Sequence, residues 1–359
     1  MTPRVRTSRL ACLISTLGAL LALSACAAPA SSPLRPSAAA QDQPAAEPVA
    51  LVPPRREPWT FRGTPGVVLI TPHYRLFTTE RNPILLERLP YALELALERY
   101  ANALAPLAMP TRPLETYVMA TRPQWERLTA AMEPDNASIY LQIRRGGFAA
   151  NGRSLLFNIG VHDTVALAAH EGWHQFTQST FRDPLPVYLE EGIATYMEGF
   201  RWDPDRPDRP RYLPWSNLER FNQLRTAHNN GRLFSLQELT RTRPQDLLVR
   251  VDGAALTWYA QVWALVHFLY EHDAGRHRPA IREMLIDAQS GRMRNRLAER
   301  FGVRGARTTL NARLGPGVLL AYVSTDLDAL DADYRAFIDR IVAPGSRHAI
   351  TEGRSPFSD

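Results

Sequence analysis

Two short stretches decide how this chain reads: His170-Glu171-Gly172-Trp173-His174 and Tyr188-Leu189-Glu190-Glu191-Gly192-Ile193-Ala194-Thr195-Tyr196. The first is H-E-x-x-H. On a helix, residues four apart share a face, so His170 and His174 aim at a common point suited to a tetrahedral metal ion, and Glu171 sits beside that point. Zinc lowers the pKa of a bound water to about 7 in favourable sites, and a carboxylate placed like Glu171 can take the proton as that water attacks an amide carbonyl. Five residues alone also arise by chance on an ordinary helix. A catalytic zinc needs a third protein ligand and an open position. The second stretch supplies carboxylates on the next helix, beyond a reversal at Pro184-Leu185-Pro186. Sixteen residues separate His174 from Glu191, enough for the chain to turn and pack antiparallel.

Read together, H-E-x-x-H followed by L-x-E-G-x-A-x-Y-x-E resembles the gluzincins, the thermolysin-like and aminopeptidase-like (peptidase-MA-like) clan of zinc metallopeptidases. The resemblance implies one Zn2+ per chain, held by His170, His174 and Glu191, the last chosen over Glu190 because it directly precedes the Gly. It implies Glu171 as the catalytic base and peptide-bond hydrolysis as the reaction. Glu198, seven residues past Glu191 on the same helical face, either holds a ligand histidine by its other ring nitrogen or is a solvated surface acid. The segment from Tyr259 to Leu269 is similar to a helix that, in the aminopeptidase branch, begins with a tyrosine donating to the oxyanion. This implies Tyr259 as a second catalytic residue, although an apolar helix also uses Tyr as plain core.

The resemblance covers roughly residues 150 to 272 and has one departure. Aminopeptidases of the clan carry G-x-M-E-N, whose Glu anchors the substrate's free amine, and here Gly147-Phe148-Ala149-Ala150-Asn151 has Ala150 in that place. An endopeptidase or narrow-specificity hydrolase is therefore favoured over an aminopeptidase. The strand expected at Ser154 to Gly160, just before the metal helix, is a candidate edge for pairing with an extended peptide. The rival reading is a catalytically silent, metallopeptidase-like binding or assembly lipoprotein, and an intact Glu171 speaks against it.

Upstream, residues 1–25 carry Arg4, Arg6 and Arg9, no acid, and an apolar run from Leu10 to Leu23, an export signal too short for a good membrane span. Leu23-Ser24-Ala25-Cys26 is the pattern a lipoprotein signal peptidase reads, with Cys26 acylated, and diacyl anchoring gives stable attachment. Ala27 after the cysteine points to the outer membrane, and the chain is expected in the cell envelope, facing the periplasm. Cys12 leaves with the signal, so one cysteine remains and no intramolecular disulfide is possible. The formal charge of +6 drops to +3 once the three signal arginines are gone, too little to suggest nucleic acid. All 42 basic residues are Arg, which reads as coding bias.

Residues 26–58, rich in Ala, Pro, Ser and Gln, form a tether that cannot bury a core. The domain is expected over 59–343, with a loose tail at 344–359. Its class is α+β and mostly helical: a small mixed sheet before the H-E-x-x-H helix, then a helical half. Strands are expected at Val67–Thr71, His73–Thr79, Leu114–Ala120 and Ser154–Gly160, the last preceded by Ser138–Ile143 and a Gly146-Gly147 turn. Helices are expected at Pro83–Leu104, Pro123–Met132, from Asp163 or Thr164 to Gln178, and from Pro186 or Val187 to Glu198. Trp202 to Pro214, full of Pro, Asp and Arg, reads as a loop. Further helices are expected at Ser216–Thr226, Ser235–Leu239, Ala254–Glu271, Pro279–Ala288 and Asp328–Val342. Trp173 and Phe176 are expected in the core behind the metal face.

Overall fold

A two-residue turn at Arg62-Gly63, both with positive φ (47° and 81°), folds β1 (Arg55–Phe61) onto β2 (Thr64–Ile70). Tight hairpins require this left-handed backbone because it matches strand twist. This computed structural model describes residues 52–357 except 204–205 and 248–252. The export signal, Cys26 and the tether up to residue 51 lie outside the described residues. The sheet starts at Arg55, inside the stretch expected to be tether and ahead of the strand expected from Val67. Its charges and Pro58 read as linker, yet β1 is an edge strand, where Pro is tolerated.

β3 (Tyr74–Thr78) pairs antiparallel with β2, and α1 (Pro83–Asn102) crosses over to β4 (Leu114–Met119), parallel to β3. Asn82 caps α1 by accepting from the amides of Ile84 and Leu85, and Leu85, Leu89, Leu93 and Leu97 line its buried face. After α2 (Arg122–Met132) and α3 (Ala137–Tyr140), the turn Asn151-Gly152 folds β5 (Gly147–Ala150) against β6 (Arg153–Phe157). The six-stranded order is β1-β2-β3-β4-β6-β5. β6 thus lies between β4 and β5 and is not the edge. The Asn-Gly turn puts β5 there instead, correcting the expectation for Ser154–Gly160.

One face of the sheet packs on α1 and α4 (Val161–Thr180), burying Leu69, Leu76, Val118, Leu156, Trp173 and Phe176. The other face of β4, β5 and β6 is covered by α2 and α3 through Trp125, Tyr140 and Phe148. Beyond α5 (Val187–Tyr196), β7 (Phe200–Asp203) and β8 (Arg206–Tyr212) pair antiparallel. The segment 202–214, expected to be a loop, is thus mostly hairpin. In a two-stranded ribbon every strand is an edge, so its prolines do not exclude pairing.

The helical half follows as α6 (Leu218–Asn229), α7 (Leu236–Arg241), α8 (Pro244–Leu247), α9 (Ala254–Gly275), α10 (Arg278–Ser290), α11 (Met293–Ala312), α12 (Gly317–Tyr322), α13 (Leu327–Ile341) and α14 (Ser346–Glu352). α9 from Trp258 to Leu269 is apolar but for Gln261 and His267 and is buried on every side, as such a helix must be. It leaves regular helix at His272–Ala274. The class is α+β and mostly helical, as expected. The tail is not loose: α14 buries Ile350, and Phe357 packs on Trp215 and Phe337. Among the described residues no helix is long and apolar enough to cross a membrane.

Candidate metal centre

α4 starts at Gly160, whose φ of 108° turns the chain off β6, and Thr164 Oγ1 accepts from the Ile159 amide. Its back is fixed by α1. The Tyr100 hydroxyl donates to the Ala169 carbonyl at 2.5 Å, and a Cβ on Gly172 would stand 2.5 Å from that hydroxyl. Gly172 is thus the residue that lets α1 approach the motif. Trp173 and Phe176 are wholly buried, as expected.

α5 carries the second stretch and packs on α9 just as closely. A Cβ on Gly192 would lie 2.6 Å from the Val262 carbonyl oxygen. The glycine after Glu191 therefore permits the contact that brings Glu191 and Tyr259, from two helices, to one site.

There the three expected ligands meet. His170, His174 and Glu191 are buried, and one ligand atom from each lies within 4.8 Å of the others. Glu191 Oε2 is 3.4 Å from His170 Nε2 and 3.8 Å from His174 Nε2. A tetrahedral ion with ligand distances of about 2.1 Å holds its donors about 3.4 Å apart, so the spacing suits such an ion. His174 Nε2 and both Glu191 oxygens are buried without a hydrogen-bond partner. Such orphaned atoms are costly unless a cation completes them. The group could hold a metal ion. Glu171 is fully buried beside it.

The other ring nitrogens are spoken for. His170 Nδ1 donates to Glu198 Oε1 at 2.8 Å, and His174 Nδ1 donates to Glu190 Oε1 at 3.1 Å. Each ring is thereby oriented with Nε2 toward Glu191, the usual carboxylate support of a ligand histidine. Of the two readings of Glu198, partner and surface acid, the geometry selects the first. The motif sets Glu190 aside as a ligand, and its supporting role is visible only in three dimensions. Thr177 Oγ1 donates to it at 2.7 Å, and Arg313 from the end of α11 lies 3.8 Å from its other oxygen. Glu198 is itself held by Asn217 Nδ2 at 2.8 Å and by Arg220 at 3.5 Å. Neither Asn217 nor Arg220 carries a motif that would have singled it out.

Electrostatically the site is acidic and buried. Burial would lower His170, but its contacts with the Glu191 and Glu198 carboxylates outweigh it and raise its pKa to about 10. Burial opposes ionisation of Glu191 and Glu198, yet His174 and His170 hold the first below the usual carboxylate range, and Arg220 and His170 hold the second there. Tyr259 is pushed well above its ordinary value, by burial first and by the Glu191 charge next. Its phenol stays protonated and able to donate. Arg220 lies over its ring at 5.3 Å.

A cleft of about 620 Å3 opens on the site, lined by His170, Glu198 and Tyr259 with Leu167, Phe200, Trp202 and Arg220 among others. That is the size of a small-ligand or peptide side-chain site. Arg145, at the start of the β5 edge, borders it and is ion-paired to Asp163, whereas Arg153 faces away toward Glu115. His162, expected before the metal helix, is in its first turn and borders the cleft. His267 is core.

Residues 164–284 match the model of a family described as "Protein of unknown function (DUF1570)". The matched stretch contains all of His170, Glu171, His174, Glu191, Glu198 and Tyr259. No curated protein matches the chain.

Proposed function

We propose that this chain is a zinc-dependent peptidase of the gluzincin type, cutting internal peptide bonds in preference to releasing N-terminal residues. One observation carries the reading: buried His170, His174 and Glu191 converge at tetrahedral spacing, with each histidine oriented by its own carboxylate and with His174 Nε2 and Glu191 lacking hydrogen-bond partners.

A bound zinc would supply the Lewis acidity that makes water nucleophilic near neutral pH and polarises a carbonyl. Glu171 takes the proton of that water and returns it to the departing amine. The Tyr259 hydroxyl, kept protonated by burial, donates to the carbonyl oxygen as negative charge develops there. Glu198 and Glu190 hold the histidine rings, so that neither proton nor ring must rearrange during turnover. β5 lies at the edge of the sheet, and the segment that leads into it, Arg145-Gly146, borders the cleft. Farther along, the Ala149 carbonyl is taken by Gln178. Ala150 offers no acid to fix a free amine, hence the preference for internal bonds. We further place the chain in the cell envelope, anchored through acylated Cys26, on the sequence pattern alone.

Elemental analysis of the purified protein, beside a His170→Ala/His174→Ala variant and a mixed peptide library, tests the proposal. One zinc per chain, lost in the variant together with chelator-sensitive cleavage, is the expected result. Zinc without cleavage of any peptide would leave a metal-binding envelope protein, and absence of zinc would end the proposal.

A further inference from the structure

The turn Leu213–Asn217 is gripped from two sides. On one side is Gly199, the residue after Glu198, where a Cβ would stand 2.2 Å from the Leu213 carbonyl oxygen. On the other is Gly353 at the end of α14, with φ of 72°, where a Cβ would meet Leu213 side-chain carbons at 2.9 Å and Ser216 at 3.2 Å. Only glycine fits at either contact. The turn contributes Asn217 to Glu198, and Glu198 orients His170.

Beneath the turn lies a polar knot that the chemistry above does not use. Trp215 Nε1 donates to Glu271 Oε1 at 2.7 Å, and Ser355 of the tail donates to Glu271 Oε2 at 2.6 Å. His267 is hydrogen-bonded to Glu271 at 3.2 Å and stacks on Trp215 with ring centres 3.6 Å apart. Phe357 closes the outside, edge-on to Trp215 at 5.8 Å, with the Arg340 guanidinium 4.6 Å from its ring centre. Ile350 and Thr351 of the same segment line the cleft.

We propose that the C-terminal segment Ser346–Phe357 is a positioning element of the metal site: by seating the Leu213–Asn217 turn it holds Asn217 on Glu198 and so fixes the ring of His170. The inference rests on the metal reading above. It assigns Ser355, Gly353 and Trp215 a function at a distance, through a chain of contacts that runs Ser355, Glu271, Trp215, Asn217, Glu198, His170. Supports of ligand residues are worth about 10–100-fold in metal affinity, and a more remote member belongs near the lower end.

The test measures zinc affinity of the full chain by competition with a chelating indicator, and the visible spectrum of the Co2+-loaded protein, which reports ligand geometry. Ending the chain at Pro344 is expected to weaken zinc binding by about tenfold and to alter the Co2+ spectrum. Ser355→Ala should move both in the same direction, and Ser355→Thr, which keeps the hydroxyl, should restore them. Asn217→Ala placed on the shortened chain should add less than about a twofold further loss, because the two changes break one path. Zinc affinity and Co2+ spectrum unchanged in the shortened chain and in Ser355→Ala would overturn the inference, as would a full additional effect of Asn217→Ala. If the shortened chain does not fold, the Ser355 pair decides alone. A wild-type chain that takes up no zinc would sink the metal reading and this inference together, whereas zinc uptake indifferent to the tail sinks only the latter.

Discussion

Glu191 on α5, fully buried, and Glu271 on α9, partly buried, both stand beside histidine, and their oxygens meet different fates. Glu271 is saturated: His267, Trp215 and Ser355 all donate to it. Glu191 faces two imidazoles at 3.4 and 3.8 Å, and neither of its oxygens has a hydrogen-bond partner. Both carboxylates are held below their ordinary range against the pull of burial. A buried charge must be answered by donors or by a cation. In Glu271 the protein supplies the answer itself, which makes a lock. Around Glu191 the hydrogen bonds are missing, and on the proposed reading a bound cation would complete the answer that the two imidazoles begin.

The comparison breaks most visibly if the two carboxylates are removed in turn. Glu191→Ala should abolish zinc uptake by elemental analysis while leaving the thermal unfolding of chelator-treated protein unchanged or raised, since a buried charge without hydrogen bonds is gone. Glu271→Ala should keep one zinc per chain, more weakly held, and lose about 1–3 kcal/mol of stability in denaturant unfolding, because the buried Trp215 and the half-buried Ser355 lose their acceptor. Equal effects of the two changes on zinc content would erase the distinction between lock and site.

Next in size are the residues that the proposal sets beside the metal without holding it. Glu171→Gln should retain zinc and lower kcat by about 10²–10⁴-fold, the usual worth of a positioned base. Tyr259→Phe should lower kcat by about 10²–10³-fold with KM little changed, as removal of an oxyanion donor does. Loss of zinc in either variant would show that they belong to the structural support and not to the chemistry. Glu198→Ala and Glu190→Ala should each weaken zinc by about 10–100-fold, read by chelator competition, without abolishing uptake.

How far the sequence foretold this follows from the range of each interaction. His170 and His174 are legible because the i, i+4 relation is fixed by one helix turn, and Glu191 because its motif lies on the next helix. Asn217 and Arg220 reach Glu198 only through the packing of α6, and nothing local marks them. The same holds for Glu190, whose role depends on which way α5 is rotated. Among the elements, α11 escaped notice because an Arg-rich stretch with Gly302 and Gly305 does not read as a 20-residue helix, and Gly302 indeed leaves helical geometry with φ of 74°. The β7–β8 hairpin was hidden by its prolines, and α14 by a composition that reads as surface. The tail gains its order from Glu271 and Trp215, residues far away in the chain.

The smallest expected effect concerns pH and sharpens the comparison from the side of the lock. Burial pulls His267 below its ordinary range, and Glu271 is held low by His267, Ser355 and Trp215 against the opposing effect of burial. An unfolded histidine titrates near 6.5, so below about pH 6.5 the unfolded chain takes up a proton that buried His267 resists, and stability falls as the solution is acidified toward the folded value. The Glu271 share is intact above the unfolded carboxylate value of about 4.3 and is lost as pH falls through its lower folded value. Thermal unfolding of chelator-treated protein should therefore show a Tm that declines in acid, with a steeper decline below about pH 4.3. Glu271→Gln keeps the shape of the side chain and still accepts from Ser355 or Trp215, yet it cannot titrate. It should flatten the acid limb relative to wild type while lowering Tm at pH 7. A Glu271→Gln protein whose acid limb runs parallel to that of wild type would mean that the lock is not where the protein stores its acid sensitivity, and that other carboxylates carry it.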